Sequence, residues 1–272
     1  MPVVADPQKT LLSVVIPAKD EEGCVEGTIL DLTETLAAAQ IPYEILVVDD
    51  ASTDSTAERV RNLAVADPAI RLIRNVGRHG FGLAVRKGLE HFKGDCVAIF
   101  MADASDSPRD LVRYYQIIEE GYDCAFGSRF VKNGKTVDYP RRKLFLNRLA
   151  NAFISTLFRL QYNDTTNAFK CYRREVIEHM MPLISPHFNL TVEMPLKAIV
   201  RGFSYRVTPI IWTNRQTGVS KLKIKEMGSR YLFIVLYLWL EKYLSRGDYH
   251  RPHSVSTDSV AEVPGVVPNS HS

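Results

Sequence analysis

From Leu11 to about Ser128 the chain alternates short β-branched or apolar runs with segments of helical periodicity, and this pattern constrains it most. Strand, helix and strand in repeated order is the signature of βαβ units, whose strands lie parallel and carry helices on their faces. Strands are predicted over Leu12–Pro17, Tyr43–Asp49, Ile70–Arg74, Cys96–Met101 and Asp123–Gly127. Helices are predicted over Glu21–Ala39, Ser55–Val65, Gly82–His91 and Pro108–Glu120, each opening near a turn or capping residue. In an open α/β sheet the ligand lies beyond the carboxyl ends of the strands, so the residues just after each strand are the ones to read for function.

The second half is less regular. It reads as a helix from about Arg142 to Leu160, a strand or turn around Thr166–Tyr172, a helix over Leu190–Val200 and a strand near Tyr205–Ile211. A long apolar and aromatic helix follows over Met227–Leu244. After Tyr249 there is no Leu, Ile, Phe, Tyr or Trp, so the tail cannot offset its ordering entropy and is expected to be disordered. The expected organisation is an extension over residues 1–10, one α/β domain over 11–226, a helix over 227–247 and a tail over 248–272.

Composition excludes several classes. Lys and Arg total 34 against 31 Asp and Glu, and a net charge of +3 does not suit a nucleic-acid wrapper. Four cysteines without a C-x-x-C pair argue against a zinc framework or a disulfide scaffold and fit a reducing, cytoplasmic compartment. His79, His91, His179 and His187 lack metal-ligand spacing. The N-terminus carries Pro2, Asp6 and Pro7 where a signal peptide needs a basic start and an apolar core. The apolar run between Arg230 and Glu241 is about half the ~20 residues of a spanning helix, so no transmembrane helix is expected.

Two strand ends carry unusual chemistry. The first closes in Pro17-Ala18-Lys19-Asp20-Glu21-Glu22, the second in Asp49-Asp50-Ala51-Ser52-Thr53-Asp54-Ser55-Thr56. Helix capping accounts for Asp54 and for Ser55-Thr56-Ala57-Glu58 as a capping box. It does not account for Asp49 and Asp50, adjacent carboxylates closing an apolar strand, where charge is costly unless it faces a cleft. At that position a carboxylate can accept hydrogen bonds from a ribose or a base.

These motifs, continued by Arg74-Asn75-x-Gly77 and Gly80-Phe81-Gly82-x-Ala84-x-x-x-Gly88, resemble the inverting family 2 glycosyltransferases. The resemblance implies a GT-A type nucleotide-sugar-binding fold, α/β with a mostly parallel twisted sheet flanked by helices. Gly127-Ser128-Arg129, Arg141-Arg142 with Asn147 and Asn151, Asp164-Thr165-Thr166-Asn167-Ala168-Phe169-Lys170, and Arg215-x-x-Gly218-x-Ser220-Lys221 look like the polyprenyl-phosphate branch, the dolichyl-phosphate mannosyltransferase group. It spans about Leu12 to Lys221.

From the resemblance, Pro17, Lys19, Glu21, Asp49, Asp50, Arg129, Arg215 and Lys221 are expected to bind a nucleoside-diphosphate sugar, and Arg141, Arg142 and Asn147 the phosphate of a polyprenyl acceptor. Family members carry Asp-x-Asp after the fourth strand to hold a divalent metal; here Ala102 and Ala104 take those places. Asp103 and Asp106 remain as catalytic and metal residues for Mg²⁺ or Mn²⁺, unless Asp106 or Ser107 merely caps the helix opening at Pro108. Arg129 is expected to grip phosphate, while Arg141, Arg142, Lys143 and Arg148 by themselves read as a solvated helix face.

A lipid phosphate is mostly deprotonated at neutral pH and needs no strong general base, which suits a motif set rich in charge but without a Ser, Cys or His nucleophile. A transferase acting on a sugar hydroxyl or soluble acceptor would instead need a base such as Glu193 or Asp164. A catalytically silent binding subunit is the remaining alternative, raised by the two alanines. Within the helix expected over residues 227–247, Tyr231–Leu240 is apolar almost all round, which suits either a core helix or one lying in a membrane surface. Flanking Lys221, Lys223, Lys225, Arg230, Lys242, Arg246 and Arg251 favour the membrane, placing the enzyme peripherally on its cytosolic face.

Overall fold

The computed structural model describes residues 9–214 and 224–251. The first half builds as its periodicity dictates: β1 (Leu12–Ala18), α1 (Val25–Ala38), β2 (Tyr43–Asp49), α2 (Thr56–Ala66), β3 (Ile70–Arg74), α3 (Phe81–Leu89), β4 (Cys96–Ile99), α4 (Pro108–Glu119) and β5 (Cys124–Ser128). β1 and β4 are buried at every residue, the continuous apolar run of a strand covered on both faces. α1 buries Val25, Ile29, Leu32 and Leu36 at helical spacing, the stripe that holds it to the sheet.

The remainder comprises β6 (Lys135–Val137), α5 (Arg141–Phe158), β7 (Lys170–Arg173), α6 (Arg174–Met180), α7 (Leu190–Val200), β8 (Tyr205–Pro209), β9 (Ile211–Thr213) and α8 (Ile224–Leu244). The seven-stranded sheet runs β3-β2-β1-β4-β7-β5-β8, and β6 pairs with β9 in a separate ribbon. All pairings are parallel except those of β7 with β4 and β5. The chain proceeds from β1 toward β3 on one side and resumes at β4 on the other. This reversal opens a crevice at the carboxyl ends of β1 and β4, where open α/β sheets take their ligands.

Two apolar clusters cover the two sheet faces, one including residues of α1 and α4, the other residues of α3, α6 and α7. α7 is buried on nearly every side, and a third cluster joins Ile154 and Phe158 of α5 to Val192 and Leu196 of α7 and Ile234, Val235 and Leu238 of α8. α8 therefore buries one face. Its other face, with Leu232, Phe233, Leu236 and Leu240, is exposed, so it is neither the fully buried core helix nor a free appendage.

Several boundaries differ from expectation. β4 stops at Ile99 and the expected strand at Tyr205–Ile211 divides at Ile210 into β8 and β9. The expected strand or turn at Thr166–Tyr172 reduces to β7, followed without a loop by α6. Residues 248–251, expected in the tail, dock on the body: Arg251 N–H donates to Arg201 O at 3.0 Å and its guanidinium pairs with Asp123 at 3.0 Å. The rest of the expected tail and residues 1–8 lie outside the described residues.

Candidate functional site

The loops after β1 and β2 are interlocked through the polar residues of the two strand-end motifs. Asp20 N–H donates to Ser52 Oγ (3.0 Å), and Thr53 N–H returns to Asp20 Oδ1 (2.7 Å). Glu21 N–H reaches Thr56 Oγ1 (2.8 Å), Glu22 N–H reaches Asp54 Oδ2 (3.1 Å), and Ser55 N–H donates to Glu22 Oε2 (2.9 Å). The expected capping box does not form: Ser55 makes no side-chain cap bond, and Asp54 Oδ1 accepts the Thr56 N–H at 3.0 Å. Pro17 is buried within β1, and Lys19 and Glu21 are half-buried at the crevice rim.

Asp49 and Asp50 are both buried at the end of β2. Asp49 Oδ1 accepts the Ser52 N–H (3.0 Å). Asp50 organises the loop after β3: Oδ1 accepts from Asn75 Nδ2 (2.6 Å) and meets His79 Nδ1 (3.1 Å), while Oδ2 accepts the Gly80 N–H (2.9 Å). Gly80 has φ +152°, and a Cβ there would lie 2.5 Å from Pro186 O, so only glycine brings this loop so close to the chain before α7.

At the end of β4 the chain turns through Asp103 and Asp106, both buried. Ser105 N–H donates to Asp103 Oδ1 (3.2 Å) and Met101 N–H to Asp106 Oδ2 (3.2 Å). Asp106 thus points back across its own loop and does not cap α4, and Ser107 makes no side-chain cap bond either. Burial, and then the charge of neighbouring Asp103, push the Asp106 carboxyl up to about 8. Two such carboxylates suit a hard cation completed by phosphate oxygens and water. No group of three or more acidic, His or Cys side chains suited to a metal occurs among the described residues, so any cation here depends on its substrate for further ligands.

Arg129 follows β5 and is buried against Asp164. Its backbone N–H and Nε donate to Asp164 Oδ2 (2.9 and 2.8 Å), and Nη2 donates to Oδ1 (2.6 Å). Phe130, Tyr139 and Trp212 surround the guanidinium at 5.2, 5.8 and 5.8 Å. The fork expected to grip phosphate is therefore spent on Asp164, leaving Nη1 outside that pair. Lys170 is buried in the same region, donating to Thr165 O (3.1 Å), Thr191 O (3.2 Å) and Asn167 O. Burial depresses its pKa to about 7.

On α5, Asn147 donates to Thr166 Oγ1 (2.9 Å), and Asn151 Oδ1 accepts from Thr165 Oγ1 (2.8 Å) and from Thr166 N–H (3.2 Å). The Asn pair thus fastens α5 to the Asp164–Lys170 loop. Arg141 and Arg142 are exposed at the start of α5. Arg215 and Lys221 lie outside the described residues.

Sequence reasoning missed the Asp50–Asn75–His79 contacts and the aromatic box of Tyr139 and Trp212. Asn75 stood in a quoted motif without a role. The aromatic pair sits on or beside three-residue strands that carry no periodicity to read.

A Rossmann-like parallel sheet, a carboxylate crevice at its switch point and an antiparallel seventh strand define a GT-A glycosyltransferase. The Glycosyl transferase family 2 profile matches residues 13–181, and the chain belongs to that family. A polyprenol monophosphomannose synthase of Mycolicibacterium smegmatis is 35% identical over 184 residues, covering 65% of this chain and 69% of that protein. A dolichol-phosphate mannosyltransferase of Pyrococcus furiosus is 30% identical over 223 residues, 79% of this chain and 60% of that one. The glycosyltransferase AglD of Haloferax volcanii is 29% identical over 238 residues, 85% of this chain but 38% of the relative. Among solved structures, glucosyl-3-phosphoglycerate synthase of Mycobacterium tuberculosis, in complex with Mn²⁺, UDP and phosphoglyceric acid, superposes with a TM-score of 0.64 at 18% identity, covering 85% of this chain and 78% of that chain.

Proposed function

We propose that the enzyme transfers a hexosyl group from a nucleoside-diphosphate sugar to a polyprenyl phosphate, with inversion, on the cytosolic face of a membrane. The observation that carries this reading is the fate of the two carboxylates a hydroxyl acceptor would need as base. Asp164 is committed to Arg129, and Glu193, fully buried, pairs with Lys197 (2.9 Å) and accepts the Ile184 and Ser185 N–H groups (2.8 Å each). Neither is available to take a proton from a hydroxyl in the crevice. A phosphate acceptor needs no such help.

In this mechanism an acceptor phosphate oxygen attacks the anomeric carbon, the bond to the donor diphosphate breaks, and the nucleoside diphosphate departs from the opposite face. Asp49 and Asp50 hold the nucleoside, with Pro17, Lys19 and Glu21 at the crevice rim. Asp103 and Asp106 would hold Mg²⁺ or Mn²⁺, which stabilises the leaving diphosphate. Arg129, through its pair with Asp164, fixes the loop that Asn147 ties to α5. Arg215 and Lys221 complete the phosphate contacts, and Arg141 and Arg142 draw the acceptor phosphate.

Two adjacent helices support the membrane reading. α5 exposes Phe145, Leu146, Leu149 and Phe153 beside Arg141, Arg142 and Arg148, and α8 exposes Phe233, Leu236, Leu240 and Leu244. The helices meet in the third core cluster, and Lys242 Nζ donates to Phe158 O (2.6 Å). Exposed apolar side chains on two packed helices, with arginines beside those of α5, suit an anionic lipid surface. No helix among the described residues is long and apolar enough to cross a membrane. The four cysteines are free, as in a reducing compartment.

Supplying the chain with labelled nucleotide sugars and polyprenyl phosphate tests the reading. Label should move to the organic phase on solvent extraction. A water-soluble glycoside would identify the soluble-acceptor alternative, and absence of both transfer and hydrolysis a binding subunit.

A further inference from the structure

A cavity of about 360 Å³ lies between the segment before α7 and the first half of α8, lined by Ile184, Asn189, Ser229, Arg230, Phe233 and Ile234 among others. That volume falls within the range of small-ligand sites. Arg230, Phe233 and Ile234 are spaced i, i+3 and i+4, so one face of α8 supplies both a charge and an apolar wall. The walls are preformed. Glu193 holds the Ile184 and Ser185 N–H groups (2.8 Å each), Asn189 Nδ2 donates to Ser185 Oγ (2.8 Å), and the Tyr231 hydroxyl donates to Phe188 O (3.0 Å), fastening α8 to the same segment. Ile184 and Phe233 are 39% and 62% exposed, so apolar side chains of the lining reach the surface.

Asn189 is buried, yet its Oδ1 has no hydrogen-bond partner. Turning the amide exchanges its two polar atoms, and Ser185 Oγ pairs with either, so one amide atom is left over in both settings. A buried amide atom without a partner is costly, and a polar ligand group in the cavity removes that cost. Among the described residues that line the cavity, Arg230 is the one charged side chain, so an anionic occupant is favoured.

We infer that this cavity takes the headgroup of an anionic phospholipid that carries hydroxyl groups, as phosphatidylglycerol does, and is a second lipid site apart from the acceptor-phosphate position at Arg141 and Arg142. This rests on the reading of α8 as a membrane-facing helix. The lipid phosphate pairs with Arg230. A head hydroxyl both donates and accepts, so it satisfies the Asn189 amide whichever atom is left over, and the acyl chains leave past Phe233 and Ile184. An ammonium headgroup cancels the phosphate charge beside Arg230, and a polyprenyl phosphate ends at its phosphate with no hydroxyl group beyond it.

Flotation of the full chain with vesicles of phosphatidylcholine mixed with an equal fraction of either phosphatidylglycerol or phosphatidylmethanol tests this. The two anionic lipids carry the same charge, and only the first has head hydroxyls. Wild type should bind the phosphatidylglycerol vesicles about threefold to tenfold more tightly, the scale of one hydrogen bond. Asn189→Leu should erase that preference while its binding to phosphatidylmethanol vesicles stays within about twofold of wild type. Ser229→Phe, at an exposed position, should fill the cavity and erase the preference as well, so the test does not depend on a buried substitution. Equal binding of wild type to the two vesicles, or a preference that both variants keep, would overturn the headgroup site and leave the membrane reading standing. Binding to neither vesicle would overturn the membrane reading together with this one.

Discussion

Replacing Asp164 with alanine removes the carboxylate paired with the buried Arg129 guanidinium, and its cost can be worked from the contacts. Asp164 is fully buried and the Arg129 side chain is 5% exposed, so water cannot screen or replace the pair. Three hydrogen bonds of 2.6–2.9 Å are lost, and the Arg129 backbone N–H and charge are left without their partner. Burial disfavours the charged guanidinium, yet the Asp164 charge raises its pKa above the ordinary value, so the pair is net favourable to the ion. Stranding one member of a buried pair costs about 3–5 kcal/mol. For a protein of this size that lowers the melting temperature by about 6–20 °C. Urea unfolding at constant m-value measures the loss, and a double variant, Arg129→Met with Asp164→Leu, should recover most of it because no charge is then stranded. A loss below about 1 kcal/mol for Asp164→Ala would refute the reasoning, since it would mean the pair is hydrated.

Asp106→Asn should abolish the dependence of kcat/KM on Mg²⁺ or Mn²⁺ along with most activity; an unchanged metal titration would remove Asp106 from the metal site. Because its folded pKa is raised toward about 8, metal-free stability should decline as pH rises from about 4 to 8, and the Asn variant should flatten that decline in a series of melting curves. Lys170 has the opposite sign: its folded pKa is depressed to about 7, so stability should rise with pH between about 7 and 10, and Lys170→Met should remove the rise. Phe145→Glu with Leu149→Glu, both at exposed positions, should leave the melting temperature within about 2 °C and abolish flotation with anionic liposomes at low salt; unchanged flotation would take α5 out of the membrane face.

β1 to β3 are recovered within a residue because buried parallel strands are unbroken apolar runs, whereas α1 starts at Val25, four residues later than expected, with no side-chain cap to mark it. α6 and the β6–β9 ribbon went unseen, since α6 starts directly after β7 and three-residue strands have no period. Arg129 was legible as a strand-end cation, but Asp164, 35 residues away, determines what its fork is bound to. Asp50 shows the same limit: its place at the end of β2 is local, whereas Asn75, His79 and Gly80 reach it from the next strand's loop. For α8, periodicity could not divide a core face from an exposed one, because the helix is apolar on both. Packing against α5 and α7 divides them.

The central claim is that the nucleophile is a phosphate oxygen of the lipid and not a hydroxyl activated by a protein base. ³¹P NMR of the purified reaction product addresses it directly. The account predicts that the acceptor's phosphomonoester resonance is converted to a phosphodiester coupled to the anomeric proton, with the anomeric configuration opposite to that of the donor. A product that retains its phosphomonoester and carries the sugar on a hydroxyl oxygen would contradict it.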